Sequence, residues 1–323
     1  MRASVVVPAY NAQETLGECL KAIQSQTLSR EMYEVIVIDD GSTDRTGEVA
    51  RQHGARVFRQ PHQGPAAARN LGLKGAKGAV VLFTDADCAP APDWVEKMLT
   101  PFSEDGIVGV KGAYKTRQRS LVARFAQIEY ETKYDRMRKQ RYIDFVDGCS
   151  AAYVTEIVRD CGGFDTIFPT SASEDVDLSF RLAKRGHKMQ FAPEAIVFHL
   201  HPHSLGAYLR RKFKIGYWRA LLYVRHPDKV ISDSHTPQSL KAQVMLGLAL
   251  LALAVPAPLW RGLFLWVEVA LLGGFLVSSI PFCVKAFSRD PLVGMMSPLL
   301  LFLRAETLGI GLVVGFLRGL IRG

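Results

Sequence analysis

Over its first hundred residues the chain alternates short, valine-rich apolar runs with amphipathic stretches, and beyond residue 242 it turns into long, almost uninterrupted apolar runs. Ser4–Pro8 suits a strand buried on both faces. Asn11–Glu14 has the form of a capping box, and Leu16, Leu20 and Ile23 follow at helical spacing. Glu34–Asp39 predicts a second buried strand, ended by the Asp40–Asp44 turn that caps the next helix, which Gly54 stops. Ala55–Phe58 predicts a third strand. Gly64–Lys74 predicts a helix with Pro65 at its start, where a missing N–H costs little. Ala79–Thr84 predicts a fourth strand running into Asp85-Ala86-Asp87. Further on, Ser171 or Ser173 can cap a helix that aligns Val176, Phe180 and Ala183 and ends at Gly186, and Ala195–Phe198 is strand-like. This alternation predicts an α/β fold with a mostly parallel central sheet and helices on its faces. The run from Gly106 to Phe145 is too weakly patterned to place.

The later runs point to a membrane. Ala242–Trp260 is almost wholly apolar, and Gly262–Val284 is a run of 23 residues whose only charge is Glu268. As a helix the second run reaches about 34 Å, enough to cross a hydrocarbon core. Pro291–Leu317 is a third run, interrupted by Arg304 and Glu306. Those charges are costly in lipid unless they pair, face a bundle or sit at an interface. At least two spans are expected, with the third open. A short turn at Arg261 would make the first two runs a hairpin, gathering Arg225, Lys229, Lys241, Lys285 and Arg289 on the side that the positive-inside rule calls cytoplasmic. A third full span would put Arg318 and Arg322 on the opposite side. No long apolar segment precedes Ser4, so no signal peptide is expected, and the soluble part is expected in the cytoplasm. The expected organisation is a catalytic domain over 1–205, a basic amphipathic juxtamembrane segment over 206–241 and a helical membrane anchor over 242–323.

Composition narrows the partners. With 48% hydrophobic and 22% charged residues among 323, wholesale disorder is excluded. Forty Lys and Arg against 31 Asp and Glu give +9, which points to a polyanion. Lys115–Arg141 carries nine Lys or Arg interleaved with Phe125, Tyr130 and Tyr134, and Tyr208–Lys229 mixes Arg210, Arg211, Lys212 and Arg219 with Tyr217 and Trp218. Such mixtures suit nucleic-acid strands. The second lies just before the apolar runs, however, and fits an amphipathic helix on an anionic leaflet. The first is a solvated helix face or an interfacial gate for a phosphorylated lipid. A membrane, and no nucleic acid, is the expected partner. The five cysteines are odd in number and form no CxxC, which argues against a disulfide framework or a zinc site.

In open α/β sheets ligands sit beyond the carboxyl ends of the strands. Pro8–Tyr10, Asp39–Asp40 and Asp85–Asp87 should therefore share one rim. Their carboxylates, with Asp44, repel one another unless a cation or donor groups neutralise them. Neither GxGxxG nor GxxxxGK[ST] follows the first strand, so the phosphates of a nucleotide would be held by a metal. A hard divalent cation such as Mg²⁺ suits one of Asp85 and Asp87, the other reaching its water or a ribose hydroxyl. The competing explanation for this pair is a solvated turn. Glu174 and Asp175 open a helix, where favourable interaction with its dipole is the simpler account. His199, His201 and His203 alternate, and would share one face if the segment stayed extended.

Ser4–Asn11 (SVVVPAYN), Val37–Asp44 (VIDDGSTD), Ala68–Gly72 (ARNLG), Thr84–Asp87 (TDAD), Gly162–Asp165 (GGFD) and Ser173–Leu182 (SEDVDLSFRL), taken in order, resemble the family-2 glycosyltransferases of GT-A fold over about residues 3–200. The resemblance implies a membrane-associated, inverting, metal-dependent transferase. It would move a sugar from a nucleotide-sugar donor to a hydroxyl of a lipid-linked or membrane-proximal glycan acceptor, with Mg²⁺ or Mn²⁺ as cofactor. It implies that Pro8, Tyr10, Asp39 and Asp40 hold the nucleoside, Arg69 faces the diphosphate, and Asp85 and Asp87 form the donor and metal site, Asp87 being the firmer metal ligand. His199 would be a further metal ligand, or a structural histidine. Asp175 would be the general base, with Asp165, Glu174 and Gly148–Ala152 on the acceptor side. Tyr10 could instead be a core residue and Arg69 an exposed helix arginine. Two alternatives to this function stand: transfer to a polyprenyl phosphate, and a non-catalytic, membrane-tethered nucleotide-sugar-binding protein.

Overall fold

The computed structural model describes residues 2–170, 173–254 and 261–322. They form two compact units, one running to Arg117 and resuming over Tyr134–Leu200, the other comprising Gln118–Lys133 and the chain from His201 onward.

The first unit is built on an eight-stranded mixed sheet. Its strands are β1 (Ala3–Ala9), β2 (Tyr33–Asp39), β3 (Arg56–Arg59), β4 (Val80–Phe83), β5 (Cys88–Pro90), β6 (Ile107–Lys115), β7 (Ala151–Val154) and β8 (Lys188–His199), in the order β3-β2-β1-β4-β7-β6-β8-β5. The pairings β3–β2, β2–β1, β1–β4 and β6–β8 are parallel, and the other three are antiparallel. Val5, Val6 and Val7 of β1 and Ile36, Val37 and Ile38 of β2 are completely buried, as strands covered on both faces require. Helices α1 (Leu16–Gln24), α2 (Thr46–Gln52), α3 (Pro65–Gly75) and α4 (Trp94–Leu99) follow the early strands. The unplaced Gly106–Phe145 run contains β6 and α5 (Leu121–Met137), a helix shared by both units. After β7 come α6 (Thr155–Asp160) and α7 (Glu174–Lys184).

Two expected caps differ from the sequence pattern. Helix α1 starts at Leu16 with Thr15 as N-cap, and Asn11 adopts φ +47° while its Oδ1 accepts the Thr43 N–H at 2.9 Å. The asparagine ties two rim loops together instead of capping a helix. Ser173 is the N-cap of α7 but makes no side-chain cap bond, and Ser171 lies outside the described residues.

The second unit packs the Gln118–Lys133 part of α5 with α8 (Leu205–Arg225), α9 (Gln238–Ala254), α10 (Arg261–Arg289) and α11 (Pro291–Arg322). Leu265–Arg289 and Pro291–Gly319 are long and apolar enough to cross a membrane, and Gln238–Leu253 is a shorter apolar helix. Arg261 already belongs to α10. The expected hairpin turn and the end of the expected first span therefore involve 255–260, outside the described residues. Small residues let α8 meet α11 closely. A Cβ at Gly216, Gly311 or Gly315 would come within 2.2–2.4 Å of a carbonyl oxygen on the facing helix, the four-residue spacing of close membrane-helix contacts.

Arg304 does not face lipid alone. Its Nη1 donates to Glu129 Oε1 at 2.8 Å, and it also donates to Gln243. Lys212 lies 3.0 Å from Glu129 Oε2, which also accepts the Tyr208 hydroxyl at 2.8 Å. Burial would raise the Glu129 pKa, but Lys212, Arg304 and Lys133 outweigh it and hold the carboxylate at about 2. Glu306 is also buried, and neither of its oxygens has a hydrogen-bond partner among the described residues.

Candidate functional site

Because β2, β1 and β4 lie side by side and parallel, their carboxyl ends open on one edge. Pro8 lies beyond the β4 pairing, which ends at Val6, so its missing N–H breaks no bond to that neighbour. Tyr10 is 47% exposed and stacks on His62 with ring centroids 4.0 Å apart, which excludes the core-tyrosine alternative. Asp39 accepts the Ser42 N–H at 2.8 Å, and a Cβ at Gly47 would come within 2.9 Å of its Oδ2. Asp40 accepts Gln63 N–H and Gly64 N–H at 3.0 and 2.9 Å, and His62 Nδ1 lies 2.9 Å from it. These bonds hold the loop that starts α3, which in turn carries Arg69.

Arg69 is 1% exposed, so it is no surface arginine. Its Nη2 donates to Asp85 Oδ1 at 3.0 Å and its Nη1 to Glu174 Oε1 at 2.5 Å. The guanidinium therefore joins the loop after β4 to the start of α7. Burial works against the charge, but Asp85, Glu174 and Asp175 outweigh it and hold Arg69 fully cationic. A Cβ at Gly148 would come within 2.7 Å of Arg69 Nη2, so only glycine lets the 148–150 turn pass over it. Glu174, expected on the acceptor side, is completely buried and accepts the Ser173 N–H; it has no face open to an acceptor. Asp175, next along, is half-buried, and its Oδ2 accepts the Gly148 N–H at 2.7 Å. Burial and the neighbouring Glu174 and Asp147 push its pKa up to about 7, against the opposing pull of Arg69 and the Gly148 N–H. Asp165 accepts the Ile167 N–H at 2.9 Å within its own turn.

The antiparallel register of β5 with β8 sets Cys88 opposite His199, and so carries His199 to the residue following Asp87. The ligand atoms of Cys88, Cys149 and His199 lie within 4.8 Å of one another, and Cys149 Sγ donates to Asp85 Oδ2 at 2.9 Å. The described residues thus bring an imidazole and two thiols together, with the Asp85 carboxylate adjoining them through Cys149 Sγ; a carboxylate and an imidazole suit a divalent cation such as Mn²⁺. The expected row of three histidines is not formed. The strand ends at His199; His201 Nε2 pairs with Gln127 Oε1 at 3.0 Å in the second unit, and His203 is exposed.

The sequence did not single out Lys111, Tyr114, Asp147, His62 or Cys88, and it placed Cys149 only within the Gly148–Ala152 stretch of the acceptor side. Lys111 is fully buried and donates to Asp147, as does the Tyr114 hydroxyl, while the Tyr114 ring stacks on His199 at 5.7 Å. The only available signals were the position of Cys88 beside Asp87 and of Cys149 in the Gly148–Ala152 turn; the three ligand atoms come from distant stretches that only the sheet register joins.

A rim of three parallel strand ends, facing a helix that opens on two acids, belongs to the GT-A class of nucleotide-sugar folds. Residues 4–162 match the profile of Glycosyl transferase family 2. It is 29% identical over 231 residues to glycosyltransferase AglE of Haloferax volcanii, spanning 66% of this chain and 71% of that protein. It is 30% identical over 236 residues to the pre-mycofactocin glycosyltransferase of Mycobacterium tuberculosis, spanning 70% of this chain but only 48% of that longer protein. In structure it resembles the mannosyltransferase PcManGT from Pyrobaculum calidifontis, solved with GDP-Man and Mn²⁺, with TM-score 0.60 and 18% identity over 99% of this chain and 87% of that one.

Proposed function

We propose that the chain is an inverting, membrane-associated transferase that moves a sugar from a nucleotide-sugar donor to a hydroxyl of a lipid-linked or membrane-proximal glycan acceptor. The observation that carries this is the Asp85–Arg69–Glu174 ion-pair chain, which fixes the loop of the Asp-Ala-Asp motif to the helix that presents Asp175. Tyr10 offers its exposed ring to the nucleobase, and Asp39 its carboxylate to the nucleoside. Asp175 takes the proton from the acceptor hydroxyl as that oxygen attacks the anomeric carbon from the face opposite the diphosphate. The bond from the anomeric carbon to the diphosphate oxygen breaks in the same step, and the nucleoside diphosphate leaves with that electron pair; no covalent sugar–enzyme intermediate forms. Asp87 and His199, with Asp85, would hold a divalent cation whose chemistry, when bound, is to neutralise the leaving diphosphate. The two long apolar helices support membrane association, and the basic residues flanking them support a cytoplasmic catalytic unit.

Calorimetry of the full chain with UDP-, GDP- and dTDP-sugars, with and without Mn²⁺, tests the donor site. Binding of one nucleotide class only in the presence of metal is expected. Equal binding of that donor without metal would contradict the assignment of Asp85, Asp87 and His199.

A further inference from the structure

Glu306 is a buried acid without a counterpart. It is 8% exposed, and neither of its carboxyl oxygens has a hydrogen-bond partner among the described residues. It stands on α11 against α9, where a Cβ at Gly247 would come within 2.6 Å of its Oε1, so the glycine makes room for the carboxyl group. Burying a carboxylate without a partner is costly, and burying the neutral acid without one still forfeits its hydrogen bonds.

The same side chain lines a cavity of about 410 Å³ between α9, α10 and α11. Leu265, Glu268, Val269 and Leu272 follow one another at i, i+3, i+4 and i+7, so a single face of α10 forms one wall. Phe302 and Glu306 form the second wall, and two leucines of α9 the third. Two carboxyl groups thus line a cavity that is otherwise aliphatic and aromatic, and no cationic side chain lines it among the described residues. Both acids lie in the stretches long and apolar enough to cross a membrane, where an acid that faces a cavity marks a site.

That division selects the occupant. A small hydrated ion would meet the acids and leave the apolar walls unmatched; a neutral lipid would do the reverse. A phosphodiester head group would bring a negative charge towards two carboxyl groups. An ammonium group brings one positive charge and three N–H donors for oxygens that have none. We propose that this cavity binds a long-chain amine, with its ammonium group at Glu306 and Glu268 and its hydrocarbon chain against the apolar faces of α10 and α11. The volume lies within the roughly 300–1,000 Å³ of small-molecule pockets. The net charge of +9 disfavours a cation at long range, so retention of an amine reports the local acids. This binding is independent of the transfer reaction, and its test contains no nucleotide sugar.

The full chain is purified in an uncharged detergent near neutral pH, where an alkylamine is cationic. It is passed through gel filtration with equimolar dodecylamine and dodecanol, which share one chain and differ in head group. Mass spectrometry of the extract counts what stays with the protein above an empty-micelle blank. One dodecylamine per chain is expected, at about tenfold or greater preference, which is about 1.4 kcal/mol. Glu306→Gln, which keeps the shape and removes the charge, is expected to weaken retention about tenfold with the thermal midpoint retained, since no partner is lost. Glu268→Gln, at a less buried position, should weaken it in the same direction and reads the same contact if Glu306→Gln fails to fold. Millimolar methylammonium, which lacks the chain, should leave the amphiphile in place. Equal retention of the two ligands, retention of the amine unchanged in the folded glutamine variants, or displacement by methylammonium would each overturn the proposal.

Discussion

Arg69 is the side chain through which the candidate site is assembled. It is buried between two carboxylates from elements far apart in sequence, and the 148–150 turn closes over it only because residue 148 is a glycine. Removing one partner of such a group leaves the others buried and uncompensated, which typically costs about 3–5 kcal/mol. Arg69→Met should lower the unfolding free energy by about that amount in urea titration; a loss below about 1 kcal/mol would show the pair to be solvent-screened. Asp175 gives a second prediction. Its pKa is raised to about 7 by burial and the nearby acids, and a base acts only when ionised. kcat/KM should therefore rise with pH and level off above about 7, reporting the free enzyme. A profile flat down to pH 5 would remove Asp175 from that role. The sign for stability is opposite to that for activity. The folded state binds this proton more tightly than an unfolded carboxyl of ordinary pKa near 4, so the contribution of Asp175 to stability falls as pH rises from about 4 through 7. These residues differed in how far sequence revealed them. Asp85 and Asp87 stand in a short motif after an apolar run, and Asp175 in one that opens a helix. The burial of Glu174 and its pairing with Arg69 depend on a contact 105 residues apart, which no local pattern encodes.

At the scale of elements, the parallel strands β1, β2 and β4 were legible because each contains an unbroken run of valine, isoleucine or leucine. The antiparallel partners were not. β5 has three residues and β7 four, too short for a period, and β6 lies in a stretch with little alternation. Yet it is β5 that sets His199 opposite Cys88, the residue after Asp87, so the least legible strand positions the histidine proposed for the metal site. In the second unit the legible signal was apolar length, while the contact between helices depends on glycine. Gly311 and Gly315 lie against the backbone of α8 at Phe213 and Tyr217. Gly315→Val should push the two helices apart and lower the thermal midpoint of the detergent-solubilised chain by several degrees, whereas Gly319→Val, where a Cβ would meet nothing within 4 Å, should leave it unchanged. Equal midpoints for the two variants would mean that the close contact contributes nothing.

At the scale of the whole molecule, the division of charge becomes clear. Residues 242–323 carry six Lys and Arg and three acids, and the larger part of the +9 belongs to residues 1–241, which also hold the acidic rim. Part of that excess has specific tasks: Arg69 joins two acids of the candidate site, Lys111 meets Asp147, and Lys212 meets Glu129 in the second unit. Arg304, which looked costly in an apolar run, completes a buried cluster with Glu129, Lys212 and Gln243. The central claim is that one carboxylate, Asp175, activates the acceptor while a separate rim holds the donor. The most direct test is the turnover of Asp175→Asn with donor affinity measured on the same preparation. Transfer should fall by about 10²–10⁴-fold, the usual contribution of a general base, while donor affinity stays within about twofold of the parent chain. Turnover near that of the parent would contradict the claim, and would favour an acceptor that is already anionic, such as a polyprenyl phosphate.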